Sequence, residues 1–255
     1  MRKSLTMSVM GSAFLLAALP AQAQVVQEQS MEHRFQLDFH VNDAALQKML
    51  PQGWEPNIAA MGPAKDCNLR VIFIDRMAIA GADGKSVGKG SERLVYVAIP
   101  VKQTGGAAQG QIIIAGLTED AANAPGPFGV YKKADTAKMT RNVSMANGAP
   151  LSDEDWEFAG GGERLTLHVK YERGAPVKGG GEVRFFNPSD TGRYQIFKTE
   201  QTIDILRNAT TNPPDRVKEF SYTATGGRLS TLFDGSEKVV SWDSFPYYNR
   251  TILVP

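Results

Sequence analysis

The chain has 255 residues, 28 Lys and Arg against 27 Asp and Glu, 25 Gly, 14 Pro, three His and a single Cys. Charge this close to balance gives no electrostatic case for nucleic acid or an anionic membrane surface as a partner. One cysteine permits neither an intrachain disulfide nor a cysteine-based metal site, so the fold must stand on its core.

Residues 1–23 read as an export signal. Arg2 and Lys3 precede an apolar run from Ala13 to Leu19, and Ala21-Gln22-Ala23 gives the small-x-small pattern that a signal peptidase accepts. Removing these 23 residues, whose only charges are Arg2 and Lys3, leaves 232 residues with 26 basic and 27 acidic side chains. No later segment approaches the run of about 18 apolar residues that a membrane span needs. The expectation is a mature chain of one domain, 24–255, periplasmic or secreted, with no membrane span and room for a homo-oligomer.

The first element, 35–41, alternates Phe35, Leu37, Phe39 and Val41 with Gln36, Asp38 and His40, the pattern of a half-buried strand. A helix is expected over 42–50: Asn42 can cap it, Ala45, Leu46 and Met49 follow at helical spacing, and Pro51 stops it. Further strands are expected at 69–74, 93–102, 111–117, 165–171, 182–187, 193–206, 217–223, 228–233, 237–242 and 249–254. Glycine clusters at 81–90, 105–106, 160–162, 179–181 and 226–227 separate them as turns. One helix among many strands predicts a mainly β architecture, a barrel or a sandwich.

Several motifs that resemble chemistry do not carry it. Gly84-Lys85-Ser86-Val87-Gly88 has the spacing of a hydrolase nucleophile turn, but it is a glycine-rich loop leading into a strand and not a strand-to-helix elbow. The histidines His33, His40 and His168 stand in no metal-ligand spacing, and no metal or other cofactor is expected. Ser152-Asp153-Glu154-Asp155 reads as a helix or turn cap.

One segment stands apart: Phe128-Gly129-Val130-Tyr131-Lys132-Lys133-Ala134, followed by Lys138 and Met139. Adjacent lysines can be solvated charges on a sheet edge, where they discourage aggregation. They can also be chemical. A lysine attacks a carbonyl only as the free amine, and at an ordinary pKa about one in 2,500 is free at neutral pH. Burial and a neighbouring cation both raise that fraction.

Lys132-Lys133-Ala134 with Lys138-Met139 resembles the lysine-pair motif of the acetoacetate decarboxylase-like family. Three further blocks resemble that family in the same order: Phe35 to Pro51, Ala98-Ile99-Pro100-Val101, and Thr225-Gly226-Gly227-Arg228-Leu229. The chain departs from it in having Tyr131 where the family has proline and Ala124-Pro125 where it has an Arg-Glu pair. A carboxylate position falls on Leu94, with Glu92 nearby on the same strand face, and Asp75 stands where the family carries glutamate.

The resemblance implies an acetoacetate decarboxylase-like β-barrel or cone surrounded by antiparallel sheet. Lys132 would form an imine with a small keto acid or other carbonyl compound, and carbon–carbon cleavage or decarboxylation would follow. Lys133 would be its cationic neighbour, although regular strand geometry points adjacent residues to opposite faces. Asp75 and Glu92 would handle protons, while Arg93, Tyr131 and Phe128 would bind substrate. The alternative is a non-catalytic binding protein that keeps the cavity of the same fold for a small carbonyl or carboxylate ligand.

Overall fold

Alternation decides the architecture, but over longer strands than the sequence pattern marks. In a computed structural model, describing residues 24–124, 129–146, 148–208 and 216–255, thirteen strands are seen among these residues. The leader and Phe128 lie outside the described residues.

The strands β1 (Val25–His40), β2 (Trp54–Pro56), β3 (Leu69–Gly81), β4 (Glu92–Gln103), β5 (Gln109–Thr118) and β6 (Tyr131–Lys133) come first. Next are β7 (Thr136–Ala146), β8 (Ala149–Gly160), β9 (Glu163–Glu172), β10 (Val177–Asn187), β11 (Asp190–Arg207), β12 (Val217–Thr225) and β13 (Lys238–Val254). Seven of them form a ring in the order β4-β3-β1-β13-β11-β10-β5, closed by the β4–β5 pairing. Strands β12-β9-β8-β7 form a separate antiparallel sheet. The mainly β barrel with additional antiparallel sheet is therefore present, and none of the helices among the described residues is long and apolar enough to cross a membrane.

Individual elements differ from expectation. The helix shrinks to α1 (Asp43–Gln47), where Asn42 accepts from the Ala45 amide at 3.0 Å. The strands expected at 237–242 and 249–254 are one, β13, because pairing with β1 runs from Val25↔Val254 to His40↔Lys238. Residues 228–233, expected as a strand, contain instead a 3-10 turn at Leu229–Thr231 that buries Leu229 and Leu232. Ser152 to Asp155 is no cap: it lies within β8, where Ser152, Glu154, Trp156 and Phe158 alternate inward.

The main apolar core lies outside the barrel wall. Phe35, Leu37 and Phe39 of β1 and Val71 and Phe73 of β3 face the second sheet, where they meet Trp156, Phe158, Leu165, Leu167 and Val169. Phe73 packs at 5.9 Å from Trp156 and 6.2 Å from Phe158. The opposite faces of the same barrel strands turn inward. There Ile72, Ile74, Leu94, Tyr96, Phe185 and Phe197 form a smaller core shared with many charged residues.

The ring is thinnest where β10 meets β5. That junction is parallel and holds one register pair, Phe185↔Gln111. Glycine permits the approach, since a Cβ at Gly110 would lie 2.2 Å from the Arg184 carbonyl oxygen and 2.9 Å from the Phe186 ring. Neither the backbone nor a packed ring can yield cheaply, so Gly110→Val is expected to destabilise the protein by about 3 kcal/mol. A urea midpoint unchanged from the parent protein would contradict that role.

Candidate functional site

The barrel interior follows from the even-numbered residues of β1. Glu28, Ser30, Glu32, Arg34 and Asp38 are all buried, while Phe35, Leu37 and Phe39 occupy the other face. Burying this many charges is tolerable only if they compensate one another. At one end they do. Glu32 accepts from Ser30 at 2.5 Å and pairs with Arg34 at 2.5 Å and Arg250 at 2.8 Å. Arg76 pairs with Glu92 at 2.6 Å and also contacts Glu28, and the Thr118 hydroxyl donates to Glu92. Burial opposes ionisation of Glu32, but the three guanidinium groups prevail and hold it at about 2. Glu92 has less compensation, and burial pushes it up to about 7 against the pull of Arg76.

Toward the other end the interior opens into a cavity of about 450 Å³. Its polar lining includes Arg34, Gln36, Arg70, Gln111 and Asp243, and its ring-bearing walls are Tyr96, Phe185, Phe197 and Tyr248. Arg34 lies over the Tyr248 ring at 3.6 Å, and Arg70 reaches Asp38 at 3.3 Å. Two acceptors are left over: buried Gln111 Oε1 and Asp243 Oδ1 have no hydrogen-bond partner. Burial, reinforced by the nearby Asp38, holds the Asp243 carboxyl well above the usual carboxylate range. The cavity thus offers guanidinium groups for a carboxylate, together with two buried oxygens that have no partner.

The lysine pair is elsewhere. Strand β6 runs parallel to β5 in the register Gly116↔Tyr131, Leu117↔Lys132 and Thr118↔Lys133. Tyr131 enters the barrel interior, fitting against Gly116, where a Cβ would lie 2.6 Å from its ring. Burial raises the Tyr131 hydroxyl well above its ordinary value. Lys132, one residue on, therefore points out of the barrel. Its stem crosses the β8–β9 turn at Gly161, its side chain is 48% exposed, and its amine pairs with Glu163 at 3.0 Å. Lys133 is exposed on the opposite side of this regular strand and does not neighbour the Lys132 amine.

The structure does not bring Lys132 together with Asp75 and Glu92. Glu92 is inside the barrel with Arg76, whereas Asp75 and Arg93 are cross-strand partners on its outer face, 3.9 Å apart. Arg93 also pairs with Glu119 at 3.3 Å. Burial pushes Asp75 above the usual carboxylate range despite Arg93. Lys132 instead lines a second cavity, of about 490 Å³, with Glu163, Ser189 and Arg228, beside the unpaired stretch of β5 between its junctions with β10 and β6. Glu163 was not anticipated; the Gly160-Gly161-Gly162 cluster preceding it signals only a turn.

The fold also makes a grouping that linear spacing hid. Asp155 and His168 are cross-strand partners, and with Asp153 they place three ligand atoms within 4.8 Å of one another. The group lies on the outer face of the second sheet. His168 Nδ1 is 2.9 Å from Asp155, and Nε2 is 3.6 Å from Glu219. His40 bonds the Asp66 carbonyl at 2.7 Å.

No protein-family model and no curated protein matches the sequence. Among solved structures, the enduracididine biosynthesis enzyme MppR complexed with pyruvate is similar, with a TM-score of 0.53 at 13% identity over 91% of this chain and 90% of that one. The same enzyme with the condensation product of pyruvate and imidazole 4-carboxaldehyde gives 0.53 at 12% identity, over 96% and 95%. An acetoacetate decarboxylase-like enzyme from Sphingomonas wittichii RW1 gives 0.51 at 11% identity, over 95% and 97%. The chain has the acetoacetate decarboxylase-like fold, in a form that diverges far in sequence.

Asp243 provides a test of the cavity's electrostatics. In the unfolded chain it ionises in the ordinary carboxylate range, whereas the folded protein retains its proton to higher pH. Its contribution to stability is therefore full in acid and lost as pH rises through the folded value. Compared by urea unfolding from about pH 5 to about pH 9, the parent protein is expected to lose stability relative to Asp243→Asn, which stays neutral. Parallel profiles would show that Asp243 is ionised in the fold.

Proposed function

We propose that the protein is an exported small-molecule binding protein whose barrel cavity takes a small ligand bearing a carboxylate. The observation that carries this reading is the composition of that cavity. Arg34 and Arg70 supply positive charge, ring walls supply apolar contact, and Gln111 and Asp243 retain unused hydrogen-bonding capacity in a space of about 450 Å³. A buried group with no protein partner gains most from a ligand that completes it. The pyruvate complex of MppR, a protein of the same fold, supports a small keto acid as the class to try first. Export rests on the leader sequence at 1–23.

A second reading is lysine-imine lyase chemistry at Lys132. It is favoured by the cavity that Lys132 shares with Glu163 and Arg228, which brings together an amine, a carboxylate and a guanidinium group. In that reaction a bond forms between the lysine nitrogen and the carbonyl carbon with loss of water, and the imine then draws electrons from the bond that breaks. The ion pair with Glu163 and the open side of Lys132 weigh against it, because attack needs a free and desolvated amine.

Both readings meet in one experiment. The mature protein is titrated calorimetrically with a panel of keto acids, simple carboxylates and aldehydes, then reduced with borohydride and mapped by mass. Carboxylate binding that weakens at least about tenfold in Arg70→Gln, with no adduct on Lys132, is the expected result. Carboxylates that do not bind, or that bind equally to Arg70→Gln, would overturn the barrel-cavity reading. An adduct on Lys132 that disappears in Lys132→Ala would establish the imine chemistry instead.

A further inference from the structure

A third cavity, unrelated to the barrel interior and to Lys132, lies between the barrel wall and the second sheet. It measures about 130 Å³, and its lining includes His33 and Ser244 from the barrel and Arg141, Ser152, Tyr171 and Arg173 from the second sheet. The strand registers explain the convergence. Arg141 is the cross-strand partner of Glu154 and Ser152 is that of Tyr171, so these turn one face of the sheet toward the barrel, and Arg173, just past the end of β9, lines the same cavity. His33 is on the outer face of β1, one residue from the inward-facing Arg34.

The carboxylate in this space is already saturated. Glu154 receives Tyr171 at 2.8 Å, Trp156 at 3.1 Å and His33 Nε2 at 3.1 Å, and the Ser244 hydroxyl lies 3.0 Å from the Tyr171 oxygen. The second nearby carboxylate, Asp75, is paired with Arg93. The positive groups are in the reverse condition. Among the described residues, neither the Arg141 nor the Arg173 guanidinium has a hydrogen bond or ion pair, although Arg141 is close enough to be felt by Asp75 and Glu154. His33 Nδ1 is buried with no partner.

We infer that this inter-sheet cavity is a binding site for a small oxyanion of phosphate or carboxylate size. Arg141 and Arg173 supply the charge, and the Ser152 and Ser244 hydroxyls stand on the same cavity wall. Guanidinium groups left unpaired at a small cavity favour an anion with several acceptor oxygens, which can take the fork of each arginine. The volume admits one such ion and excludes the larger ligands for which the barrel cavity has room.

The test is a titration of the full mature protein with sodium phosphate and, separately, sodium acetate, each against sodium chloride at matched ionic strength. The readouts are thermal unfolding and the ring resonances of isotopically labelled His33. A saturable rise in unfolding temperature and a saturable shift of His33 with either ion are expected. The His33 shift with either ion should weaken at least about tenfold in Arg141→Gln/Arg173→Gln. Neither arginine is fully buried, so the double variant is expected to fold. Arg70→Gln lowers the part of the acetate thermal response that comes from the barrel cavity, but should leave the His33 shift with either ion unchanged. Phosphate and acetate indistinguishable from chloride at His33, or a His33 shift that persists in the double variant, would overturn the site, and a His33 shift lost in Arg70→Gln would move it into the barrel.

Discussion

The structure depends on how charge is buried along β1. Glu32 is enclosed with Arg34, Arg76 and Arg250, and of these Arg76 is in turn held by Glu28 and Glu92 and Arg250 by Glu28. A closed ring with this interior can form only if all these partners arrive in register, because an unpaired charge inside would cost several kcal/mol. Such a network adds little net stability compared with apolar packing, but it penalises every slipped alignment. The apolar driving force comes instead from the outer wall, where Phe35, Leu37, Phe39 and Phe73 pack against the second sheet. The usual arrangement of a small barrel, apolar within, is therefore turned partly inside out.

The barrel, β5-edge and inter-sheet cavities follow from this arrangement, and strand alternation keeps them apart. Arg34 belongs to the barrel cavity, while His33 beside it belongs to the inter-sheet cavity. Tyr131 completes the barrel interior, while Lys132 beside it lines the open edge of β5. A shift of one residue in β6 would exchange the last two and place the amine near Glu92 and Arg76. Gly116 works against that shift, since the space it leaves is filled by the Tyr131 ring.

The class of the fold was legible because period-two alternation is local. Phe35 to His40 and Leu165 to Tyr171 are seen as strands in either setting. What polar alternation cannot show is whether the polar face meets water or a barrel interior, and so Gln36 and Asp38 read as solvated. The site was less legible for a related reason. Asp75 and Glu92 are both on strands flanking the same ladder, but facing is set by register, and register is a long-range property. Glu163, Arg141 and Arg173 become relevant only through pairings between β7, β8 and β9, and Asp153 to Asp155 had the composition of a cap while lying within a strand.

The pairing of β1 with β13 has a consequence for the order of folding. Val25 is matched to Val254, so the first described strand obtains one of its two neighbours from the end of the chain. Until that neighbour arrives, β1 has β3 on one side and an open edge on the other, with its charged residues lacking Arg250. Contacts that span more than two hundred positions must close late, after a large loop entropy has been overcome. A chain released from its N-terminus onward would hold the hairpins β3–β4–β5 and β7–β8–β9 early, as local units. It would acquire a barrel only in the final step, when the last strand slots between β1 and β11.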